Sequence, residues 1–348
     1  MEILIPSLLR IKPNALFKLG KYLRVCGYHE VVVIYGEGTK EIFHQALEIS
    51  FASSEIKVIY EDTAKTNDLD DAFASAKQFP PKTKALVAIG GGKAIDYCKY
   101  IAHITQLPII SVPTIVSNDG FCSPFSSMLV NGARKTIKTK IPDGVIVDTQ
   151  ILLDAPEIFL YSGIGDLFCK MTALFDWKLS YKKTGEYVND FAAVICKNAV
   201  ETFLYYTDKD FANTEYLSII VSSLLMNGIA MEIAGSSRPA SGSEHLVSHA
   251  YDQCAKTPSL HGLQTGVASY PISYLQEETF EVVKRIILES GFADFMEKNP
   301  LDKSDFIKAV QHAPEIKEDY YTILSEKHSI DKIIDFIQTD ELMQRMLK

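Results

Sequence analysis

Two histidines stand four residues apart in the segment SGSEHLVSHAYD, which spans residues 241–252. They are His245 and His249, and a third histidine, His261, follows in the short segment SLHG. Imidazole nitrogens are frequent ligands of divalent transition metals, so this cluster could form part of a metal site. HxxxH pairs also arise by chance, and a single histidine is more often a structural or surface residue. The spacing alone leaves both interpretations open.

The segment SGIGDLFCK could supply a carboxylate to the same site. Its Asp166 follows two glycines, and the pattern predicts that it stands at the start of a helix, where aspartate is also a common N-cap. In the histidine segment, Ser241 and Glu244 match the capping box S-x-x-E. We therefore expect a helix to begin at Ser241 and to place His245 and His249 on one face. One carboxylate and two imidazoles would leave a coordination position open for water or substrate, as in catalytic metal sites.

A glycine-rich segment, AIGGGKAID at residues 88–96, follows the pattern of a buried strand and precedes a helical pattern. Glycine lets the backbone approach a ligand closely, and a helix N-terminus offers free N–H groups to a phosphate. The alternative is an ordinary strand–helix turn. The spacing matches neither GxGxxG nor the P-loop, so it indicates a phosphate or dinucleotide without naming one.

A hydroxyl-rich segment, SVPTIVSNDGFCSP at residues 111–124, comes directly after another predicted strand. The carboxyl ends of parallel strands are where open α/β sheets bind ligands, so this segment could lie beside the glycine loop. It carries Asp119 in the sequence Asn-Asp-Gly, which is equally typical of a plain turn. Taken alone, the plain turn is the stronger interpretation.

The elements that would position these residues change along the chain. In the first half, short apolar runs rich in β-branched residues alternate with helical patterns, which predicts a parallel sheet with right-handed crossovers. A tight hairpin is expected at Asn131-Gly132, since both residues tolerate positive φ. The predicted strands cover residues 30–36, 55–62, 84–92, 107–114 and 144–152.

From about Asp166 onward the patterns are almost entirely helical. The chain of 348 residues is also too long for one ordinary core, so two domains are expected. We predict an α/β nucleotide-binding domain with a parallel sheet over residues 1–155. An all-α domain that holds the metal and substrate residues is predicted over residues 156–348.

Composition narrows the functional classes. The formal net charge is −9, and no basic face dominates, so a nucleic-acid partner is not expected. We find no run of about 18 apolar residues and expect no membrane-spanning segment. The six cysteines form no CxxC pair and suggest reduced thiols, so we expect a cytoplasmic protein. We also expect a homo-oligomer.

The segments GGGKAID, PTIVSNDGFCSP, GIGD, SSRPASGSEHLVSHAYD and LHG occur in an order similar to that of glycerol-1-phosphate dehydrogenases. The chain resembles this family from about residue 1 to residue 270. The family lies within the metal-dependent alcohol dehydrogenases, with dehydroquinate synthase as a relative in fold. SRPASGSEH followed by HxxxH is the most specific segment, whereas the glycine loop is shared by the whole group.

The resemblance implies roles for individual residues. Asp166, His245 and His261 match the three metal ligands, and His249 and Asp119 match catalytic residues near the substrate. The residues that match cofactor contacts are Gly90, Gly91, Gly92, Lys93, Ala94, Thr114, Ser117 and Ser123.

The implied reaction is the reduction of dihydroxyacetone phosphate to sn-glycerol 1-phosphate by NADH or NADPH. A proton would arrive through water or His249, and Arg238 is our candidate partner for the substrate phosphate. The acidic pair Glu61-Asp62, at the end of a predicted strand, favours NAD over NADP. Among divalent metals we prefer zinc, with nickel and iron(II) chemically acceptable.

Three alternatives stay open at this point. The first is a glycerol dehydrogenase that uses unphosphorylated glycerol and dihydroxyacetone with NAD. The second is a lyase of the dehydroquinate synthase kind, which would be expected to carry Glu where Asp166 stands. The third is a binding protein without catalytic activity, which the intact aspartate and histidines disfavour.

Overall fold

The computed structural model of the protein describes residues 3–206 and 208–348. Within these residues the strands are β1 (Leu8–Lys12), β2 (Glu30–Gly36), β3 (Lys57–Ala64), β4 (Ala85–Gly90), β5 (Ile109–Pro113), β6 (Phe125–Val130), β7 (Ala133–Lys138) and β8 (Gly144–Asp148). Six of them pair in parallel to form one sheet in the order β1-β8-β5-β4-β2-β3. β6 and β7 form a separate antiparallel hairpin, whose turn residues Asn131 and Gly132 both have positive φ, as predicted.

The helices account for most of the remaining described residues. They are α1 (Leu19–Val25), α2 (Thr39–Ala52), α3 (Leu69–Ala76), α4 (Gly92–Thr105), α5 (Thr149–Leu153), α6 (Glu157–Phe168), α7 (Lys170–Thr184), α8 (Asp190–Tyr205), α9 (Thr214–Ala234), α10 (Ser243–Cys254), α11 (His261–Gln276), α12 (Phe280–Glu289), α13 (Phe292–Lys298), α14 (Lys303–His312), α15 (Ser329–Thr339) and α16 (Glu341–Met346). The predicted combination of a parallel α/β half with an all-helical half is confirmed.

The described residues group into two units. One unit contains the sheet and consists of Met1–Pro156 together with Asp210–Glu232. The second range includes most of α9. The other consists of Glu157–Lys209 and Ile233–Lys348 and is helical. The division into domains at residues 155 and 156 stays a prediction, and it treats α9 as part of the helical half.

The central strands form where the sequence is apolar on both faces. Val31 to Tyr35 in β2 and Ala85 to Ile89 in β4 are all fully buried, as expected for a parallel sheet covered on both sides. β1 was not predicted, because it is an edge strand whose segment LLRIK carries two charged residues.

The last predicted strand is too long. β8 ends at Asp148, and residues 149–152 lie in α5 instead of continuing the strand. The Asp148 carboxylate accepts hydrogen bonds from the backbone N–H groups of Gln150, Asn14 and Leu16. This carboxylate caps α5 and ties down the loop after β1, which ends the strand at that residue.

The predicted helix start at Asp166 is wrong. α6 begins at Glu157, so Asp166 lies inside this helix and is not its N-cap. The nearer of the two preceding glycines, Gly165, allows close packing between helices, because a Cβ there would lie 2.0 Å from the carbonyl oxygen of Gly262 in α11. Conversely, a Cβ on Gly262 would lie 1.8 Å from the carbonyl oxygen of Ser162.

The predicted capping box is also wrong. α10 begins at Ser243 with Gly242 as its N-cap, two residues later than expected. The Glu244 carboxylate does accept the Gly242 N–H at 2.6 Å, but Ser241 does not cap the helix. His245 and His249 still lie one turn apart on α10, as predicted.

Two stretches, Glu157–Thr184 and Thr214–Ala234, have the length and hydropathy of a membrane-spanning helix, which differs from our expectation that none would. Of the most apolar window in each, 72% and 61% is buried inside the protein. Burial of this kind is typical of core helices in a folded protein. Both stretches, the first of which comprises α6 and α7, supply core residues here.

Candidate metal and cofactor sites

Asp166, His245 and His261 come together in the helical unit. One carboxylate oxygen and one nitrogen from each ring all lie within 4.8 Å of one another. His245 Nε2 is 3.8 Å from Asp166 Oδ1, and the centroids of the two imidazole rings are 4.8 Å apart. Asp166 lies in α6, His245 lies in the first turn of α10, and His261 is the first residue of α11.

A buried glutamate fixes the orientation of His245. Glu244 Oε1 accepts the backbone N–H of Gly242 at 2.6 Å and lies 2.8 Å from His245 Nδ1. Because this oxygen is an acceptor, Nδ1 carries the proton and Nε2 keeps its lone pair. Thr172 Oγ1 lies 2.8 Å from the other oxygen of Glu244. His245 is thus held with its free nitrogen toward Asp166.

A longer chain of hydrogen bonds sets the tautomer of His261. Gln264 donates its amide N–H groups to Asp252 Oδ1 and to the carbonyl of Ser259, which leaves its oxygen as an acceptor. Ser248 donates its only hydroxyl proton to that oxygen at 2.6 Å. The Ser248 oxygen, 2.9 Å from His261 Nδ1, must therefore accept a hydrogen bond from the Nδ1–H group of the ring. The Nε2 atom of His261 is therefore the unprotonated ring nitrogen.

The Asp166 carboxylate has its own buried partner. Lys170 Nζ lies 2.7 Å from Asp166 Oδ1, one turn further along the chain, and both side chains are essentially inaccessible to solvent. Carboxylates that bind metals are commonly held by a second hydrogen bond. Sequence reasoning missed both Lys170 and the Glu244 contact. The available signals were a lysine four residues after Asp166 and an acidic residue adjacent to His245.

The environment keeps His245 neutral. Its pKa lies well below the ordinary value, first because of burial and then because of the positive charges of Lys170, His249 and Lys317. A histidine must be neutral to bind a metal, so the site favours the form that can act as a ligand.

The donor set fits a divalent transition metal. Bonds of about 2.1 Å place the ligand atoms of a tetrahedral zinc ion about 3.4 Å apart, so the observed separations require a small contraction. Two imidazoles and one carboxylate suit zinc, nickel and iron(II). The three residues predicted as ligands can therefore hold such an ion, with a position left for another molecule.

His249 lies beside this trio without belonging to it. Its ring centroid is 5.9 Å from that of His261, with the two rings at 28° to each other, and the side chain is half-buried. Its catalytic role stays a prediction.

The predicted cofactor loop lies in the α/β unit, between β4 and α4. Gly90 has φ of +152°, and a Cβ there would lie 3.0 Å from the Gly36 nitrogen, so glycine is required. Gly91 is the N-cap of α4, and it has no side chain that could cap the helix. No side chain therefore caps the backbone N–H groups of the first turn, which begins at Gly92. Ala94 is buried behind the turn, and a Cβ on Gly90 would meet its methyl at 3.2 Å. This geometry suits a phosphate group.

The Lys93 side chain, unlike the loop glycines before it, is exposed and charged. Its side chain is about half exposed, and its ammonium lies 3.5 Å from a Glu37 carboxylate oxygen. A second acceptor, the carbonyl of Lys65, is 3.4 Å away. Lys93 therefore extends over the end of the sheet and does not pack into it.

The hydroxyl-rich segment after β5 is held against the glycine loop. The backbone N–H of Thr114 donates to the carbonyl of Gly90 at 3.0 Å, which joins the two segments directly. Thr114 and Ser123 are buried and Ser117 is half-buried. Asp119 opens a short 3-10 helix, Asp119–Cys122, and is also half-buried.

A fully buried lysine shapes the same segment. Lys99 donates to the carbonyls of Gly120, Ser123 and Phe125, and its ammonium lies 2.9 Å from Asp96. Sequence reasoning did not identify Lys99, although Asp96 three residues earlier in the same helix is a possible partner that the spacing indicates. Its role is to fix the backbone on which Asp119 and Ser123 are carried.

The prediction that Arg238 binds a substrate phosphate is not supported by its contacts. The guanidinium is 2% exposed and forms a two-pronged ion pair with Glu186 at 2.8 and 2.5 Å. It also donates to the carbonyl of Tyr321 and to Ser180 Oγ, and it stacks on the Tyr320 ring. Its donors are committed inside the protein.

The sequence is similar to those of known metal-dependent dehydrogenases. Residues 10–156 match the sequence model of the iron-containing alcohol dehydrogenases. The chain is 34% identical over 301 residues to glycerol-1-phosphate dehydrogenase [NAD(P)+] of Methanosphaera stadtmanae, covering 86% of this chain and 85% of that one. It is 33% identical over 328 residues to the Metallosphaera sedula enzyme of the same name, covering 93% and 92%.

Solved structures agree on the fold. The crystal structure of glycerol dehydrogenase from Schizosaccharomyces pombe superposes with a TM-score of 0.77 at 19% identity. The match covers 99% of this chain and 92% of that one. At this level of identity the similarity supports the architecture alone, an α/β half followed by a helical half, as predicted.

Proposed function

The chain belongs to the glycerol-1-phosphate dehydrogenase family, as its motifs suggested, and from that premise we propose that it reduces dihydroxyacetone phosphate to sn-glycerol 1-phosphate. The electron donor is NADH or NADPH. The observation that carries the proposal is the convergence of donor atoms from Asp166, His245 and His261 within 4.8 Å, in a chain with this family relationship. We propose zinc as the metal, with nickel and iron(II) as acceptable substitutes.

We assign metal binding and cofactor binding to two different groups of residues. Asp166, His245 and His261 would hold a divalent cation, which when bound polarises a carbonyl group and stabilises developing negative charge on its oxygen. Gly90 to Ala94 would hold the pyrophosphate of the nicotinamide cofactor, which when bound supplies the hydride. The carbonyl carbon gains the hydride and the carbonyl oxygen gains a proton.

His249 is our candidate for delivering that proton, directly or through water. It is half-buried beside His261, and an imidazole can exchange protons near neutral pH. Asp119 remains our second predicted catalytic residue, carried by the segment that Lys99 fixes.

We propose NAD as the preferred cofactor, because Glu61 and Asp62 lie toward the end of β3, where acidic side chains disfavour a 2′-phosphate. Glu61 is also paired with Lys40 at 2.7 Å, so its carboxylate is partly neutralised. NADPH is therefore tested beside NADH in every assay.

The test is steady-state kinetics on the purified protein with metal analysis in parallel. We expect efficient oxidation of NADH with dihydroxyacetone phosphate and much weaker use of dihydroxyacetone. Equal or better use of dihydroxyacetone and glycerol would assign the protein to the glycerol dehydrogenases instead. Turnover without NAD(P)H oxidation, on a phosphorylated sugar acid, would favour the lyase alternative.

A further inference from the structure

Lys317 is a positively charged residue of the helical unit without an anionic partner. It follows the 3-10 helix Ala313–Glu315 and is half-buried. Across residues 3–206 and 208–348, no carboxylate lies within ion-pair distance of its ammonium, and the ammonium donates no hydrogen bond. A partly buried ammonium in this state is unfavourable, because it has lost water without gaining a counter-charge.

The surroundings of Lys317 add more positive charge. Its Nζ lies 4.4 Å from the ring centroid of Tyr320, and the Arg238 guanidinium carbon lies 3.4 Å from the same centroid. Burial, followed by the charge of Arg238, lowers the pKa of Lys317. Because Glu186 already neutralises Arg238, the charge left uncompensated is that of Lys317.

Lys317 also lies close to the candidate metal site. The Tyr320 hydroxyl donates to the carbonyl of Ser241 at 2.5 Å, just before α10 begins. The Lys317 charge is one of those that act on His245, together with Lys170 and His249. Lys170 is already bound to Asp166, so Lys317 is the ammonium in this group that remains available to a ligand.

We propose that Lys317 binds the phosphate group of the substrate. The inference rests on the proposed function and specifies how the site recognises a phosphorylated triose. A phosphate dianion would supply the missing counter-charge, and an ammonium group can direct three donors at its oxygens. Arg238 would act behind Lys317, by holding the Tyr320 ring against which the ammonium lies.

This arrangement would also give selectivity against unphosphorylated substrates. Dihydroxyacetone and glycerol would leave the Lys317 ammonium without a partner, so their binding would lack the charge-assisted contacts. Discrimination would then come from the phosphate end of the substrate and not from the carbonyl that is reduced.

The test compares Lys317→Gln with Lys327→Gln, which removes the same charge from an exposed lysine of the same unit. We expect Lys317→Gln to raise the KM for dihydroxyacetone phosphate by about ten- to a hundredfold, the usual effect of losing charge-assisted hydrogen bonds. The KM for dihydroxyacetone and the metal content should stay unchanged, and Lys317→Arg should restore most of the affinity. Lys327→Gln should behave as the wild type.

Inorganic phosphate serves as a probe that does not depend on turnover. Calorimetric titration should show phosphate binding to the wild type and a loss of about tenfold or more in Lys317→Gln. Equal phosphate affinity in the two proteins, or a KM effect shared equally by dihydroxyacetone, would overturn the assignment. If the wild type does not reduce dihydroxyacetone phosphate, the proposed reaction fails, and the titration still decides whether Lys317 binds phosphate.

Discussion

At the scale of single residues, the candidate metal site is set up by hydrogen bonds before any ion arrives. Glu244 and Ser248 accept hydrogen bonds from the Nδ1–H groups of His245 and His261 respectively, so both rings offer Nε2. These hydrogen-bond partners could not be predicted from the sequence, in which residue type, spacing and the family resemblance suggest only the ligands themselves. Gln264 and Asp252 join the arrangement only through contacts between α10 and α11.

Replacing His245 by Ala removes one of the three proposed ligands. We expect the purified variant to lose its tightly bound divalent cation and its NADH-dependent activity, because two remaining ligands bind such ions weakly. Elemental analysis by mass spectrometry checks the metal content, with His312→Ala, an exposed histidine, as the control. A His245→Ala protein with full metal content and activity would refute the ligand assignment.

Replacing Ser248 by Ala leaves all three proposed ligands in place but removes the hydrogen bond that selects the Nδ1–H tautomer of His261. We expect metal affinity to fall about tenfold to a hundredfold, as is typical when the partner of a ligand is lost. Nitrogen-15 NMR of the metal-free protein should show His261 as a mixture of tautomers, where the wild type shows the Nδ1–H form alone.

Ser269→Ala is the matched control, since Ser269 is also a buried serine and bonds only to the Thr265 carbonyl in the contacts described. Unchanged tautomer signals in Ser248→Ala would show that the serine does not orient the ring.

At the scale of elements, the crossing of α6 and α11 brings Asp166 to His261. Gly165 and Gly262 face each other so closely that neither position has room for a methyl group. The sequence pattern around Gly165 suggested a helix start, because a sequence alone cannot distinguish a turn glycine from a glycine at a close helix contact. The strands of the sheet were easier to predict, because a run of apolar β-branched residues indicates a buried strand without knowledge of the segment that packs against it.

Replacing Gly262 by Ala should force α6 and α11 apart. We expect destabilisation by about 1–3 kcal/mol or more, as for other overpacked cores, together with weaker metal binding. Thermal unfolding and metal titration measure the two effects. Gly92→Ala is the control, because a Cβ at Gly92 meets no atom within 4 Å. A Gly262→Ala protein as stable as the wild type would mean that the helices are less constrained than this geometry requires.

At the scale of the whole molecule, one buried carboxylate couples stability to pH. Burial, followed by the nearby charge of Glu244, raises the pKa of Asp176 to about 7. Between about pH 4 and pH 7 the folded protein thus keeps a proton that the unfolded chain has released. The stabilising contribution of this group is complete below about pH 4 and is lost as the pH rises through about 7.

Replacing Asp176 by Asn should remove that pH dependence. Asp176 alone makes the wild-type free energy of unfolding fall by up to about 1.4 kcal/mol per pH unit across the window. The variant should be less stable in acid, because the backbone N–H groups of Ser243 and Ile323 both donate to this carboxylate. Denaturant unfolding from pH 5 to pH 8 measures the slopes, with the exposed Asp319→Asn as control. Parallel slopes in the wild type and Asp176→Asn would contradict the expected titration.

The origin of the three proposed ligands in separate helices has a consequence for how the protein is maintained. The unfolded chain holds no preformed site, so whatever free energy the cation releases on binding is added to the stability of the folded state. The melting temperature should then follow the free metal concentration. A cell short of that cation would lose this enzyme through unfolding and proteolysis, in addition to lacking the ion needed for turnover.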